Sequence, residues 1–431
     1  MRVSAGSAGA RPAPVRMSPV LSAIYIAVIG LILLRAGLNS LILNQFINYG
    51  TDGGFILEKI HPSFYGLLAI SAFALAAYRT ELTSWETSVV RRYLLLAACS
   101  VAMLVYAGAH GTGGSAGFMV DSYVTICFST LLFLFPARMR AYAGKALLLF
   151  FLLSALIALA EFVLRVRLLP FHEVETAFRP TGLSSHPLEL GLWCAVAIPL
   201  TAATDWSRGW KIGLSAIFFA ALAASGARTA LVCGSISTLV VIFAAVRPNV
   251  LPQRRLERRL IVGVLAVLAV PAAYGLLSAA GTLQRFDAGV NDSNTQARYT
   301  IYQVFDGMSW SDVLMGPGMP EVTRVALKNL HLVAIESPIV IFIAIFGAIW
   351  TTIFIGVFIY VLIGALRGAL PATTLAAVLC CIISLSSNGF ATKEPSLVHL
   401  FIFIIAFRPA ELQPRSDHRL ASGRLWRREH A

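Results

Sequence analysis

The sequence predicts an all-α polytopic membrane protein of about twelve helices, and three observations carry that reading. Hydrophobic residues make up 58% of the 431 positions, charged residues only 13%, and the mean hydropathy is +0.77. The apolar residues come in long uninterrupted blocks, for which lipid is the fitting solvent. Between the blocks, clusters of arginine recur at alternate connections, which is how chain orientation is written in a membrane protein.

Taken in order, the apolar runs are Val20–Leu34, Phe64–Tyr78, Tyr93–Ala109, Val120–Phe135, Ala146–Leu164 and Leu188–Ala203. They continue with Ile212–Ala224, Ala230–Val246, Leu260–Ala279, Ile339–Leu366, Ala372–Leu385 and Leu397–Phe407. Several fall short of the roughly 20 residues a spanning helix uses, so their flanks must join them. The stretch Ile212–Val246 is the opposite case. As one helix it would run about 50 Å against a hydrocarbon core of about 30 Å. The segment Ser225-Gly226-Ala227-Arg228-Thr229 is where it should break into two helices joined by a very short turn.

Arginine clusters lie at Arg79 to Arg92, at Arg138 and Arg140, at Arg208 with Lys211, at Arg247 to Arg259, and along the tail from Arg408. The positive-inside rule makes these cytoplasmic, together with the N-terminal tail, residues 1–17. Both ends inside requires an even number of spans, which twelve satisfies. The expected organisation is therefore a transmembrane domain over residues 18–408 and a basic cytoplasmic tail over 409–431. Two substantial periplasmic loops are expected, 165–187 and 281–338, the larger between the ninth and tenth spans. The N-terminal apolar block runs into Arg35 and Asn39 without a small-residue cleavage site, and is expected to stay as the first helix of a multi-pass bacterial inner-membrane protein. Gln296 to Phe305 has amphipathic helical spacing, suited to a short helix lying on the membrane.

The +13 net charge follows from these loop arginines, so no nucleic-acid partner is expected. The six cysteines all sit in apolar blocks, with no CxxC spacing and no nearby histidine, so a metal site is not expected and disulfides are not needed.

The informative charges are arginines on the side that the rule depletes: Arg165, Arg167, Arg179, Arg228, Arg285, Arg298 and Arg324. A phosphate-rich ligand is one reason to keep them there, since guanidinium binds phosphate bidentately. Arg179 precedes a helix, with Gly182 allowing a tight turn and Pro187 near the helix start. Arg228 occupies a turn too short to reach far into water. Arg298 lies in the large loop, upstream of the turn-forming Leu314-Met-Gly-Pro-Gly-Met319. His331 stands just before a long apolar run and can act as a base near neutral pH.

Four stretches in this order resemble the O-antigen ligase and Wzy-type polysaccharide polymerase superfamily. Phe178-Arg-Pro-Thr-Gly-Leu-Ser-Ser-His-Pro187 resembles its Arg–Gly–Pro segment opening a membrane helix, and Ala224-Ser-Gly-Ala-Arg-Thr-Ala230 its Ser-Arg-Thr turn. Gln296-Ala-Arg-Tyr299 with Gly316-Pro-Gly318 resembles its Arg-plus-Gly-x-Gly loop. His331, followed by an apolar helix containing Gly347, resembles its His-Asn segment, with Leu332 standing where the family commonly has Asn.

The resemblance implies a GT-C-like helical fold with a periplasmic active site. It implies transfer of glycan from undecaprenyl pyrophosphate to an acceptor glycan or glycolipid, without nucleotide or metal. Arg179, Arg228 and Arg298 would bind the pyrophosphate, Arg228 and His331 would be catalytic, and Glu173 and Glu175 would be reserve bases. A flippase and a chain-length regulator would be partners in such a pathway, beside membrane lipids. Polymerisation of lipid-linked repeats is the first reading. A ligase that moves finished glycan to lipid A-core or a similar acceptor is the second. A lipid-linked glycan transporter is a further alternative, disfavoured because the charges gather at one face and no internal repeat is visible.

Overall fold

The computed structural model describes residues 17–50, 56–78, 80–171, 178–244, 293–332 and 334–409. The expected span Leu260–Ala279, the two terminal tails (residues 1–16 and 410–431), Arg285, Glu173 and Glu175 lie outside them. Among the described residues the fold is all-helical, with no strand. Each of the other eleven apolar runs falls on a helix.

The helices are α1 Pro19–Gly37, α2 Pro62–Ala77, α3 Ser84–Ala109, an irregular α4 over Met119–Leu134, α5 Ala137–Leu164, α6 Pro187–Ala203, α7 Arg208–Ser225 and α8 Arg228–Ala244. Three short ones follow, α9 Ser293–Thr300, α10 Trp310–Met315 and α11 Met319–Asn329. The last three are α12 Pro338–Leu366, α13 Pro371–Leu385 and α14 Ser396–Ala406. Among the described residues four helices, α1, α3, α5 and α12, are long and apolar enough to cross a membrane, and six shorter apolar helices accompany them. This is a membrane-embedded helical protein.

A repeated local code starts the apolar helices. Ser18-Pro19, His61-Pro62, His186-Pro187 and Ser337-Pro338 each place a polar cap in extended backbone before a proline at the first helical position. Proline biases its predecessor to extended backbone, fits the first turn, and gives up an N–H that a helix start leaves unbonded anyway. The cap side chain then accepts from a first-turn amide, as His186 Nδ1 does from Leu188 N at 3.0 Å. Helix α3 starts instead with a reciprocal box between Thr83 and Glu86.

Helices α6 and α14 form the centre, with nearly every residue buried. Helix α6 packs against α5, α7, α8 and α13, and α14 against α4 and α5. The outer helices leave rows of large aliphatic side chains exposed, such as Leu149, Leu153 and Leu156 on α5 and Ile349, Ile353 and Ile363 on α12. Contiguous apolar surface of this kind is what lipid covers.

The chain breaks between α7 and α8 at Gly226-Ala227, where the length argument puts it. Gly226 adopts φ 64°, a left-handed cap that favours glycine. Helix α12 is interrupted at Gly347, with φ 79° and ψ 162°. The Gly316-Pro317-Gly318 turn fills that break: Gly318 N donates to Ala344 O at 2.8 Å, and a Cβ on Gly347 would stand 2.2 Å from Leu314 O. Helix α11 and the turn of helix at Ile301–Phe305 pack on the first half of α12 through Ile301, Val304, Val322, Ala326, Val340 and Ala344. The amphipathic stretch from Gln296 is helical, split between α9 and that turn.

Candidate functional site

One end of the bundle collects the C-terminal ends of α1, α3, α5, α7 and α13 and the starts of α2, α6, α8, α12 and α14. The segment 178–187 is held there by Glu161, near the end of α5. Its carboxylate accepts backbone amides of Leu168 at 2.7 Å and of Thr181 and Gly182 at 2.8 Å each. Gly182, at φ 57°, lies against α5, where a Cβ would meet Ser154 O at 2.4 Å. The tight turn expected there is present.

Arg179 is buried in this segment, and its Nε donates to Ser225 O at 2.8 Å. Its side chain lies over Gly226, 3.4 Å from where a Cβ would stand. Arg228, half-buried, is the first residue of α8, on the same turn. The structure therefore brings these two sequence-predicted arginines to one helix–helix corner. The start of α8 adds the positive end of a helix dipole to that corner.

Arg298 and His331 belong to a second group, the short helices α9–α11. Arg298 pairs with Glu336 at 3.2 Å, both partly exposed. His331 follows α11 in left-handed backbone, φ 55°, and is exposed. Other arginines expected at the outer face are occupied by the protein itself. Arg167 donates through Nε and Nη2 to Arg179 O at 3.0 and 2.9 Å, and Arg324 pairs with Glu321. Arg165 stacks on Phe162. For these three, protein contacts alone account for the position.

Beneath the corner lies a polar layer that sequence reasoning missed. Arg35, at the end of α1, faces Asp121 of α4 at 3.7 Å and donates to Tyr49 Oη at 3.2 Å. It also donates to the backbone oxygens of Asp121 and Lys393, each at 3.1 Å. Asp121 in turn accepts Tyr49 Oη at 2.8 Å and His61 N at 3.0 Å. Burial first, and Arg35 second, hold the His61 imidazole down to about 3, so it is neutral. That fits Nδ1 accepting the Ser63 amide at 3.1 Å while Nε2 donates to Leu38 O at 2.8 Å.

The connection 386–395 ties this layer to the segment that holds the partner of Arg298. Asn388 Nδ2 donates to Ile335 O at 2.8 Å, beside the partner of Arg298. Lys393 Nζ donates to Tyr49 O at 2.6 Å and Lys59 O at 2.8 Å. Burial lowers the Lys393 amine to about 8. Glu394 follows, and Glu189 stands in the first turn of α6. Asp121 and Glu189 both lie inside the apolar runs Val120–Phe135 and Leu188–Ala203, so single carboxylates within hydrophobic blocks were the signal available. The adjacent charges Lys393 and Glu394 before the last run were another.

Chemically, the corner gathers two arginines and a helix start at one turn, Arg179 buried and Arg228 half-buried. Among the described residues no group of three or more metal-ligating side chains occurs. No protein-family model matches this chain, and no curated protein matches it.

Proposed function

We propose that this protein is a membrane glycosyltransferase that polymerises oligosaccharide repeats carried on undecaprenyl pyrophosphate, at the periplasmic face of the bacterial inner membrane. The observation that carries the proposal is the α7–α8 corner, whose Ser225 carbonyl Arg179 bonds and at which Arg228 opens α8. Two arginines from separate segments sit there at one end of a helical bundle, at the start of α8. A pyrophosphate leaving group gains negative charge as the anomeric C–O bond breaks. Cations fixed beforehand in a low-dielectric site stabilise that charge without reorganising. Arg298 would serve the same anion from the outer helices, and the acceptor glycan would reach the site between them.

The test is a gel of surface and lipid-linked glycans from a strain lacking this protein. Single lipid-linked repeats, or anchors capped with one repeat, are the expected result. Long chains still on the lipid carrier but missing from their final anchor would replace the polymerase reading with the ligase. Arg179→Ala and Arg228→Ala should each abolish transfer while the protein still inserts, and an Arg228 variant making normal product would remove its pyrophosphate role.

A further inference from the structure

At the end of the bundle opposite the arginine corner, the last turn of α12 lies between two guanidinium groups. Helices α3 and α12 pack along each other, and Gly364, near the end of α12, faces Arg92 of α3. A Cβ on Gly364 would overlap the Arg92 guanidinium, so the missing side chain is the notch that the cation occupies. The Arg92 Cζ stands 4.7 Å from the centroid of the Tyr360 ring, one turn back along α12. Two turns before Arg92 on α3, Trp85 carries the Arg408 guanidinium over its ring at 3.6 Å. Arg408 Nη1 donates to Arg367 O, the residue that follows α12, at 2.6 Å. Arg91 and Arg367 are exposed beside them.

Little of this charge is answered within the protein. The Nε atoms of Arg92 and Arg408 are buried without a hydrogen-bond partner. Among the described residues, no carboxylate pairs with Arg91, Arg92, Arg367 or Arg408. Glu86 is taken by Arg140 at 2.6 Å, and Glu81, exposed in the connection before α3, forms no ion pair with them. Capping of a helix C-terminus explains Arg408, which bonds a carbonyl, but not Arg92, which bonds none. A purely topological arginine would extend its head into water. Arg92 is instead half-buried against Tyr360, at the level where α12 ends.

We propose that the α3–α12 groove at this end binds an anionic phospholipid, whose phosphate Arg92 holds while Arg91, Arg367 and Arg408 supply the surrounding positive field. Guanidinium takes two oxygens of a phosphate diester at once. Further into the span, Leu95 on α3 and Ile355 and Ile359 on α12 are exposed, which gives the acyl chains apolar surface directly beyond the head. That continuity of cation and aliphatic surface selects a lipid over a free phosphate. The charge selects the kind of lipid. A zwitterionic head would bring its own ammonium toward four arginines, whereas an anionic head brings none. Tyr360, exposed beside Arg92, has the amphipathic ring that sits at headgroup level.

The experiment titrates full-length protein in neutral detergent with phosphatidylglycerol, counting bound lipid by native mass spectrometry and following melting in parallel. Phosphatidylcholine with the same chains and inorganic phosphate are the comparison probes. Phosphatidylglycerol should stay bound and raise the melting temperature, and the other two should not. Arg92→Gln and Arg367→Gln should each weaken phosphatidylglycerol binding about fivefold, and Arg92→Lys should recover part of the loss by restoring charge without the fork. Arg208→Gln is the control. Arg208 is exposed at the same end, but on α7, which packs against α5, α6 and α8, and its loss should leave affinity unchanged. Equal binding of the two lipids, or an equal effect of inorganic phosphate, overturns the assignment. So does an Arg208→Gln loss as large as that of Arg92→Gln, which would mean attraction to the whole charged end. Arg367 is exposed, so its variant decides the matter should Arg92→Gln fail to fold.

Discussion

At the scale of single residues, Asp121 shows how much one carboxylate can organise. It faces Arg35 and accepts bonds from Tyr49 and from the His61 amide, all in the interior. Asp121→Ala leaves Arg35 buried without its counter-charge, which should cost about 3–5 kcal/mol. The check is thermal unfolding of the purified protein in detergent, where a variant melting with wild type would show that Arg35 finds its charge balance elsewhere. Lys393 gives a pH signature. Its amine is lowered to about 8, so between about 8 and the unfolded value of about 10.4 the unfolded chain binds more protons than the folded one. Stability in that window should rise with pH, relative to Lys393→Met, which lacks the step. A difference between the two that stays flat from pH 8 to 10 would show that Lys393 titrates normally.

Residue-level legibility was uneven for a physical reason. Arg179 and Arg228 stood out because an arginine expected at the outer face runs against a topological rule. Asp121 and Glu189 did not, because each is a single carboxylate inside a block whose hydropathy it barely alters. The partners of Asp121 are Arg35, Tyr49 and His61, distant in sequence, and spacing alone gives no sign of them.

At the scale of elements, apolar runs translated directly into helices, and the length of Ile212–Val246 located the break before α8. The Ser-Pro and His-Pro starts were equally local in origin. What the runs could not give was the break in α12. Gly347 sits amid uniformly apolar residues, and its extended conformation is set by the Gly316–Gly318 turn lodged against it. Gly347→Ala must hold a left-handed φ and place a Cβ on Leu314 O, costing at least about 1–3 kcal/mol. Melting in detergent should drop, while Gly356→Ala, with open space around it and ordinary helical backbone, should not lower it. Equal melting of the two variants would mean that α12 straightens without penalty.

At the scale of the whole molecule, both ends of the bundle bury paired charge. The end with the arginine corner holds Arg35 with Asp121. The opposite end pairs Arg140 with Glu86 at 2.6 Å and Lys145 with Asp205 at 2.5 Å, and lays Arg408 over Trp85. That second end carries the loops whose arginines the positive-inside rule assigns to the cytoplasm. A periplasm-active reporter fused after Ser293 should accordingly be active, and one fused after Arg255 silent. The reverse pattern would invert the orientation and put the arginine corner on the cytoplasmic side.

The grip of Lys393 on the carbonyls of Tyr49 and Lys59 also has a meaning for biosynthesis. Residues from the first helical hairpin leave the ribosome long before residue 393 is made. Until the last helix arrives, the Tyr49 and Lys59 carbonyls and one bond of the Arg35 guanidinium wait without their final partners. The connection before α14 thus fastens onto segments made much earlier. A chain stopped before Ser386 lacks Lys393 and leaves that clasp open.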